Sequence, residues 1–212
     1  MMERVTLEAK MRKLEDMLLR MHAITKQSME AIIGLPSNNA RETIRELEYA
    51  TDIINWELFE EAVMTIATQQ PTARDLRFII MVASIASIYE RINDLALDIA
   101  TCVGKIGKIP QELDKNLKTI LDAILNMLEV TRKAMATHSF INLYDTLSKL
   151  DDVIDNNFRE ILDFIKNSKD LSAELMLNLV MIFRDLERIG DLMGKIGSRL
   201  IYIETGKMIP IK

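Results

Sequence analysis

The sequence predicts an all-α protein in which six long antiparallel helices form two tandem three-helix bundles. Glycine and proline are scarce, with 7 and 4 among 212 residues, so long stretches of the chain contain no helix breaker. Apolar residues along these stretches recur at alternating steps of three and four, which is the spacing of one helix face. A short acidic motif also occurs twice in the same setting, which indicates an internal repeat.

Clusters of breakers divide the chain into the six predicted helices. The first helix ends at residues 34–36, Gly-Leu-Pro, the second at Pro71, and the third within residues 104–110. The stretch that follows is too long for a single helix, and we expect breaks near residues 138–139 and at residues 167–170. Helices of about thirty residues joined by such short loops must run antiparallel and pack as bundles.

Apolar stripes give the predicted buried face of each helix. Five helices carry long stripes, and the longest belongs to the sixth helix, from Leu175 to Ile203. In the third helix, residues 78–89 form an uncharged run that is too short to span a membrane, which needs about 18 residues. We expect this run to be a helix segment buried on all sides. The second helix has a weaker stripe, formed by Ile44, Leu47, Ile54 and Leu58.

Composition and charge exclude several classes of protein. With 49% apolar and 28% charged residues, the chain has the composition of a folded globular protein rather than a disordered one. A net charge of −5 and the lack of basic runs argue against a nucleic-acid partner. The single cysteine, Cys102, cannot form an intramolecular disulfide, and the N-terminus has no apolar targeting segment. We therefore expect a cytoplasmic protein without membrane insertion.

The two halves of the chain resemble each other. Residues 90–95, Glu-Arg-Ile-Asn-Asp-Leu, recur as residues 187–192, Glu-Arg-Ile-Gly-Asp-Leu, with five of six positions identical. Upstream, residues 52–55, Asp-Ile-Ile-Asn, pair with residues 152–155, Asp-Val-Ile-Asp. Because both matches occur in the same order, a duplication is the simplest explanation. The predicted domains are two three-helix repeats, residues 1–107 and 108–212.

Acidic residues four apart share a helix face, and such pairs occur on four of the predicted helices. If neighbouring helices bring these rows together, each half gathers several carboxylate oxygens, which suit hard cations. Arg91 and Arg184 each lie three residues before one of these carboxylates, so a solvated face with ordinary ion pairs is the alternative. The fifth helix also offers Asp151. The eight candidate ligands are Glu48, Asp52, Glu90, Asp94, Asp152, Asp155, Glu187 and Asp191.

Three short motifs stand out in the sequence: residues 70–77, Gln-Pro-Thr-Ala-Arg-Asp-Leu-Arg, residues 187–191, Glu-Arg-Ile-Gly-Asp, and residues 202–206, Tyr-Ile-Glu-Thr-Gly. They resemble motifs of the PhoU family of phosphate-signalling proteins, and the first is similar to a characteristic stretch of that family. Its Glu-Arg-Ile-Gly-Asp signature is intact at residues 187–191, whereas Asn93 replaces the glycine in residues 90–94. Residues 202–206, Tyr-Ile-Glu-Thr-Gly, are similar to the C-terminal end of the family. The resemblance extends over essentially the whole chain.

This resemblance implies a function, partners and a metal. It implies a non-enzymatic regulator that suppresses the phosphate-starvation response, as an adaptor between the phosphate ABC transporter ATPase subunit and a phosphate-sensing histidine kinase. It also implies a homodimer and acidic motifs that hold divalent or multinuclear metal, with iron, Mn, Mg or Ca as candidates. Asn55 stands where the second half has Asp155, so we expect the second half to bind metal better.

Two other functions are compatible with the sequence. One is a carboxylate-bridged helical metalloenzyme, and the other is a soluble accessory of a low-affinity phosphate transporter. A ferritin-type di-iron enzyme needs a Glu-x-x-His motif, but Leu19 and Met135 stand three residues before His22 and His138. The sequence contains no phosphate-loop or dinucleotide fingerprint, so we predict no catalytic residue.

Overall fold

The structure, a computed structural model, describes residues 2–137, 139–140 and 142–211, with side chains from residue 6 onward. His138, considered above, lies outside the described residues. Within the described part the chain forms long α-helices and no β-strand. These helices are α1 (Met2–Ile33), α2 (Asn38–Gln69), α3 (Ala73–Ile106), α4 (Asp114–Thr137), α5 (Leu143–Asn167) and α6 (Ala173–Thr205).

The helices pack as the sequence predicts, and the fold class is confirmed. Of the residues that the structure describes, 88% are helical. Helices α1, α2 and α3 pack against one another, and so do α4, α5 and α6. The two bundles join mainly where α3 packs on α6, with a smaller contact between α1 and α4. No described helix is both long and apolar enough to cross a bilayer.

The helices end at residues suited to their positions. The Ser37 and Ser172 hydroxyls accept hydrogen bonds from the backbone N–H groups of Ala40 and Leu175, both at 3.2 Å. Each hydroxyl thus satisfies one of the N–H groups that the first turn of a helix leaves unpaired. At the other end, α6 stops at Gly206, whose φ of 70° lies in the left-handed region that glycine tolerates.

The predicted stripes form one continuous apolar core. Members such as Leu18, Ile85 and Ile189 are buried. One expectation was wrong: the uncharged run of α3 is not buried on all sides, because Ile80 is 46% exposed and Ser87 is also exposed. Helix α3 packs against α1, α2 and α6, which leaves a narrow strip of its surface open to solvent.

Candidate functional site

The first carboxylate cluster consists of Glu48 and Asp52 on α2 with Glu90 and Asp94 on α3. All four side chains are half-buried where the two helices pack. One carboxylate oxygen from each of Glu48, Asp52 and Asp94 lies within 4.8 Å of the other two. Because the pairs are spaced four residues apart on each helix, packing α2 on α3 brings the two rows together.

Negative charge in this cluster is only partly compensated. Burial raises the pKa of Glu48, and the neighbouring carboxylates of Asp52 and Asp94 raise it further. The pKa of Glu90 is raised in the same way, by burial first and then by Asp94. Arg91 lies 3.0 Å from the Asp94 carboxylate and supplies one positive charge. The Oδ1 atom of Asp52 is buried and accepts no hydrogen bond from the described residues.

The second carboxylate cluster consists of Asp151 and Asp155 on α5 with Glu187 and Asp191 on α6. Asp151 is only 6% exposed, and burial together with the other carboxylates raises its pKa to about 6. Glu187 also has a raised pKa, mainly from burial and then from Asp191. Asp155 is half-buried, with its carboxylate 3.5 Å from the Arg159 guanidinium, and Asp191 is exposed.

The position of Asp152 changes how the two halves correspond. Asp152 is exposed, whereas its neighbour Asp151 is the residue that turns toward α6. Matched by their spacing of four residues, Glu48 and Asp52 correspond to Asp151 and Asp155, so each half offers four carboxylates. The expectation that the second half binds metal better was based on Asn55, and it stays a prediction.

The glycine of the repeated motif explains how closely α5 approaches α6. A methyl group added to Gly190 would lie 2.8 Å from Ile154 Cδ1 and 3.5 Å from Asp151 Oδ1. In the first half, Asn93 takes this place in the motif and turns into the core toward α1. Its amide donates to Thr25 Oγ1 at 2.8 Å and accepts from Ser28 Oγ at 2.6 Å. Asn93 therefore links α1 to α3 rather than completing the carboxylate cluster.

The chemistry of both clusters fits a hard cation. All their candidate donors are carboxylate oxygens, which Mg²⁺, Ca²⁺ and Mn²⁺ prefer. The buried, unpartnered Oδ1 atom of Asp52 lacks the hydrogen bond that burial normally requires, and a cation would supply the missing interaction. The residues present are therefore compatible with the metal that the sequence implies.

Comparison with known proteins assigns the chain to a family. A family model described as the PhoU domain matches residues 14–103 and residues 117–200, one segment in each half. The chain belongs to the PhoU family. Both carboxylate clusters lie within the matched PhoU segments.

Relatives of PhoU type match almost the whole chain. The chain is 30% identical to a phosphate-specific transport system accessory protein PhoU homolog of Archaeoglobus fulgidus, over 96% of this chain and 97% of that protein. It is 32% identical to the phosphate-specific transport system accessory protein PhoU homolog 1 of Thermotoga maritima, over 98% of this chain and 92% of that protein. Crystal structures of PhoU from Pseudomonas aeruginosa and Streptococcus pneumoniae superpose with TM-scores of 0.82 and 0.81. At 24% and 22% identity, these two structures support the fold alone; they cover 94% and 96% of this chain and 99% of theirs.

Two of the stretches that resemble PhoU motifs, residues 70–77 and 202–206, meet in space. Arg77, the last residue of the stretch 70–77, donates from Nε to the carbonyl oxygen of Ile203 at 3.1 Å. The same guanidinium lies 5.7 Å from the centre of the Tyr202 ring. The stretch at the start of α3 thus holds the end of α6 in place, so these two stretches have a structural role that does not involve the carboxylate clusters.

Asp151, the most buried residue of the second carboxylate cluster, was not among the eight candidate ligands predicted from the sequence. The fifth helix contains three aspartates in five positions, Asp151, Asp152 and Asp155, and the repeat alignment favoured Asp152. The usable signal was the spacing of four: Asp151 and Asp155 share a face, just as Glu48 and Asp52 do.

Proposed function

We propose that this protein is a non-enzymatic cytoplasmic regulator of phosphate uptake and phosphate-starvation signalling. It acts as an adaptor between the ATPase subunit of the phosphate ABC transporter and a phosphate-sensing histidine kinase. The observation that carries the proposal is the end-to-end match to proteins named as accessories of the phosphate-specific transport system. A surface made almost entirely of long helices suits an adaptor, because helix faces present rigid, extended binding surfaces.

The carboxylate clusters favour this function over a metalloenzyme. A catalytic metal site is enclosed, and it keeps an open coordination position for water or substrate. Here Asp191 is exposed, and the other residues of the two clusters, apart from the buried Asp151, are half-buried at grooves between helices. This arrangement resembles a structural or regulatory cation site rather than an enclosed reaction chamber.

The test combines a binding assay with a cellular assay. Purified protein should co-purify with the transporter ATPase subunit and with the cytoplasmic part of the kinase. Deletion of the gene should leave the phosphate-starvation response active when phosphate is plentiful. Binding only to a low-affinity phosphate transporter would favour the accessory function instead. Hydrolysis of phosphate esters that persists through purification and disappears in Asp191→Ala would support the metalloenzyme.

We further propose that both carboxylate clusters bind divalent cations. In the first half Glu48, Asp52, Glu90 and Asp94 would hold the metal, which would neutralise the repulsion between α2 and α3. We expect the second cluster to bind more tightly, because Asp151 is its most buried carboxylate and lies among four other acidic groups. Since the sites contain only carboxylate donors, Mn²⁺ and iron are the most informative cations to test beside Mg²⁺ and Ca²⁺.

Elemental analysis and titration with Mn²⁺ measure this binding. Asp52→Asn should abolish binding at the first cluster, and Asp151→Asn should abolish it at the second. Asp152→Asn should have a much smaller effect than Asp151→Asn, because Asp152 is exposed. The exposed Asp122 on α4 provides a matched control, Asp122→Asn. Equal binding by all four variants and wild type would mean that the carboxylates are only a solvated face.

The homodimer that the resemblance implies is also part of the proposal. Sedimentation equilibrium over a range of protein concentrations should give twice the monomer mass of 24.3 kDa. A mass that stays at the monomer value at every concentration would contradict it.

A further inference from the structure

Helix α2 carries exposed apolar side chains on the face turned away from the core. They range from Ile53, 44% exposed, to Trp56, 69% exposed. Their spacing of mostly three and four residues places them on one face, which we call the α2 outer face. This face consists of Tyr49, Ile53, Trp56, Phe59, Val63 and Met64. Contiguous exposed apolar surface of this kind is typical of sites where another molecule binds.

The α2 outer face is distinct from the face that holds the fold together. The buried side chains of α2, among them Ile44, Leu58 and Ala62, point toward α1 and α3. At about 100° per residue, the outer face is centred on the opposite side of the helix. The Trp56 and Phe59 rings touch edge to face, with centroids 6.5 Å apart, so the exposed aromatics form one surface.

Acidic residues border this apolar face. After Arg45, helix α2 contains no lysine or arginine. Glu57 is exposed beside the face and Glu60 within it, whereas Glu48 and Asp52 belong to the first carboxylate cluster. Two lysines of α1, Lys10 and Lys13, reach α2, but both form ion pairs with Glu61. The border of the outer face therefore keeps its negative charge.

We propose that the α2 outer face binds a cationic amphipathic helix of a partner protein. The apolar side of such a helix covers Tyr49, Ile53 and Trp56, and its flanking lysines or arginines meet the acidic border. An amphipathic helix presents apolar side chains three and four residues apart, and its apolar face can pack along the α2 outer face, whose side chains have the same spacing. The inference rests on the proposed function only in that an adaptor needs a docking surface, and it adds the chemistry of the segment that docks.

Charge argues against two other occupants. If a second copy of the chain packed its α2 antiparallel across Trp56, Glu57 and Glu60 of both copies would face one another, and like charges at such a distance repel. Membrane surfaces that contain anionic lipid attract helices with basic borders, whereas the border of α2 is acidic. A cationic protein segment is the occupant that complements both the apolar and the acidic parts of this face.

The only tryptophan in the chain lies on this face, so binding can be followed directly. The probe is a synthetic helical peptide of about 18 residues, made of leucine, lysine and alanine, with leucines on one face and lysines beside them. Adding it should shift Trp56 emission to shorter wavelength as the indole leaves water. A peptide with glutamate in place of lysine should cause no shift. Raising NaCl from about 0.05 M to about 0.5 M should weaken binding of the lysine peptide.

Variants of the face separate apolar from charged contributions. Ile53→Ser should weaken peptide binding by about tenfold or more, because it removes an anchor near the centre of the face. Glu57→Lys with Glu60→Lys should weaken it by a similar factor and reduce its dependence on salt. The matched controls are Leu177→Ser, an exposed apolar residue on α6, and Asp122→Lys on α4. Since all these positions are exposed, helix content and thermal unfolding should match wild type.

Several outcomes would overturn the proposal. Binding that is absent, or that the face variants and controls leave equal, means that α2 is not the docking site. Blue-shifted Trp56 emission with vesicles of phosphatidylcholine and phosphatidylglycerol would assign the face to a membrane. A wild-type dimer that becomes monomeric in Ile53→Ser would assign it to a second copy. If the peptide does not bind but deletion of the gene still leaves the phosphate-starvation response active in plentiful phosphate, only this inference is wrong. If the peptide binds but the deletion does not change that response, the proposed function is contradicted instead.

Discussion

His22 is a neutral histidine enclosed in the core. Its side chain is 2% exposed, and Nδ1 lies 3.0 Å from Tyr89 Oη. The other ring nitrogen, Nε2, is buried without a hydrogen-bond partner among the described residues. Burial is the main cause that lowers the pKa of His22 from 6.5 to about 4, with the charges of Arg132 and Lys26 also lowering it and Glu129 raising it.

This histidine should make stability depend on pH. Between pH 6.5 and about 4 the unfolded chain binds a proton at His22 that the folded protein does not, so the free energy of unfolding falls as pH falls through this range. The expected loss from about pH 7 to about pH 5 is about 2 kcal/mol. Urea unfolding of wild type and His22→Gln at both pH values measures it. The carboxylates are common to both proteins, so an equal pH dependence in the two would show that His22 does not titrate in this way.

Gly190 should tolerate a side chain poorly. The methyl group of Gly190→Ala would meet Cδ1 of the fully buried Ile154 at 2.8 Å, so the Ile154 side chain must repack within the core, at a cost of about 1–3 kcal/mol. The better helix propensity of alanine offsets about 1 kcal/mol of that cost. Gly104→Ala is the control, because the group it would meet at 3.2 Å is the flexible end of Arg41. We expect thermal unfolding to show a lower Tm for Gly190→Ala only, and equal Tm changes in the two variants would contradict close packing at Gly190.

Residue types and spacings predicted which helices bring carboxylates together, but they did not identify every carboxylate that belongs to each cluster. Spacing of four identified Glu48, Asp52, Glu90 and Asp94 as one group, because a helix turn alone fixes which side chains share a face. It could not choose between Asp151 and Asp152. That choice depends on how α5 is rotated against α6, which the contact of Ile154 with Gly190 determines across the bundle.

At the scale of the helices, breakers and apolar stripes agree, and together they predicted the six long helices of the described chain but not the short 3₁₀ helix at Gln111–Leu113. Helix α2 had the weakest stripe, and the structure gives the physical reason. Its apolar residues are divided between an inward face that includes Leu58 and the α2 outer face that includes Trp56. Periodicity alone reads a helix with two apolar faces as a poor stripe. In α3, residues 78–89 are uncharged throughout and still expose Ile80, because the helices that pack against α3 do not cover that part of its surface.

The contact between the start of α3 and the end of α6 should be specific to arginine at position 77. Arg77 is half-buried and combines a hydrogen bond to the Ile203 carbonyl with a stacked position over Tyr202. Arg77→Ala should lower the free energy of unfolding by about 1–3 kcal/mol. Arg77→Lys should recover little of it, because an ammonium group lacks the planar fork of arginine.

Arg74→Ala is the control for this contact. Arg74 makes an exposed ion pair with Glu204 at 3.4 Å, and such pairs contribute less than about 1 kcal/mol. Hydrogen exchange at residues 202–206 should speed up in Arg77→Ala and change little in Arg74→Ala. Equal protection of the last turn of α6 in both variants would contradict the fastening role of Arg77.

At the scale of the whole molecule, the two bundles share one core. Helices α3 and α6 pack along each other, and Arg199 on α6 donates to Ser84 on α3 at 2.7 Å. Buried residues of both halves belong to a single apolar cluster. A duplicated sequence could have folded as two independent units, and the repeat alone does not say which arrangement forms. The extent of the α3–α6 contact indicates that the halves fold together.

The two halves should therefore unfold in one transition. Trp56 fluorescence reports on the first half only, whereas helical circular dichroism reports on both. Ile161 on α5 is fully buried in the second half, and Ile161→Ala should destabilise the protein by about 2–5 kcal/mol. If unfolding is cooperative, this distant substitution lowers the midpoint of the Trp56 transition as much as that of the dichroism. Ile44→Ala, equally buried in the first half, is the matched control and should shift both probes in the same way. Independent halves would instead leave the Trp56 midpoint of Ile161→Ala at the wild-type value while the dichroism transition splits in two.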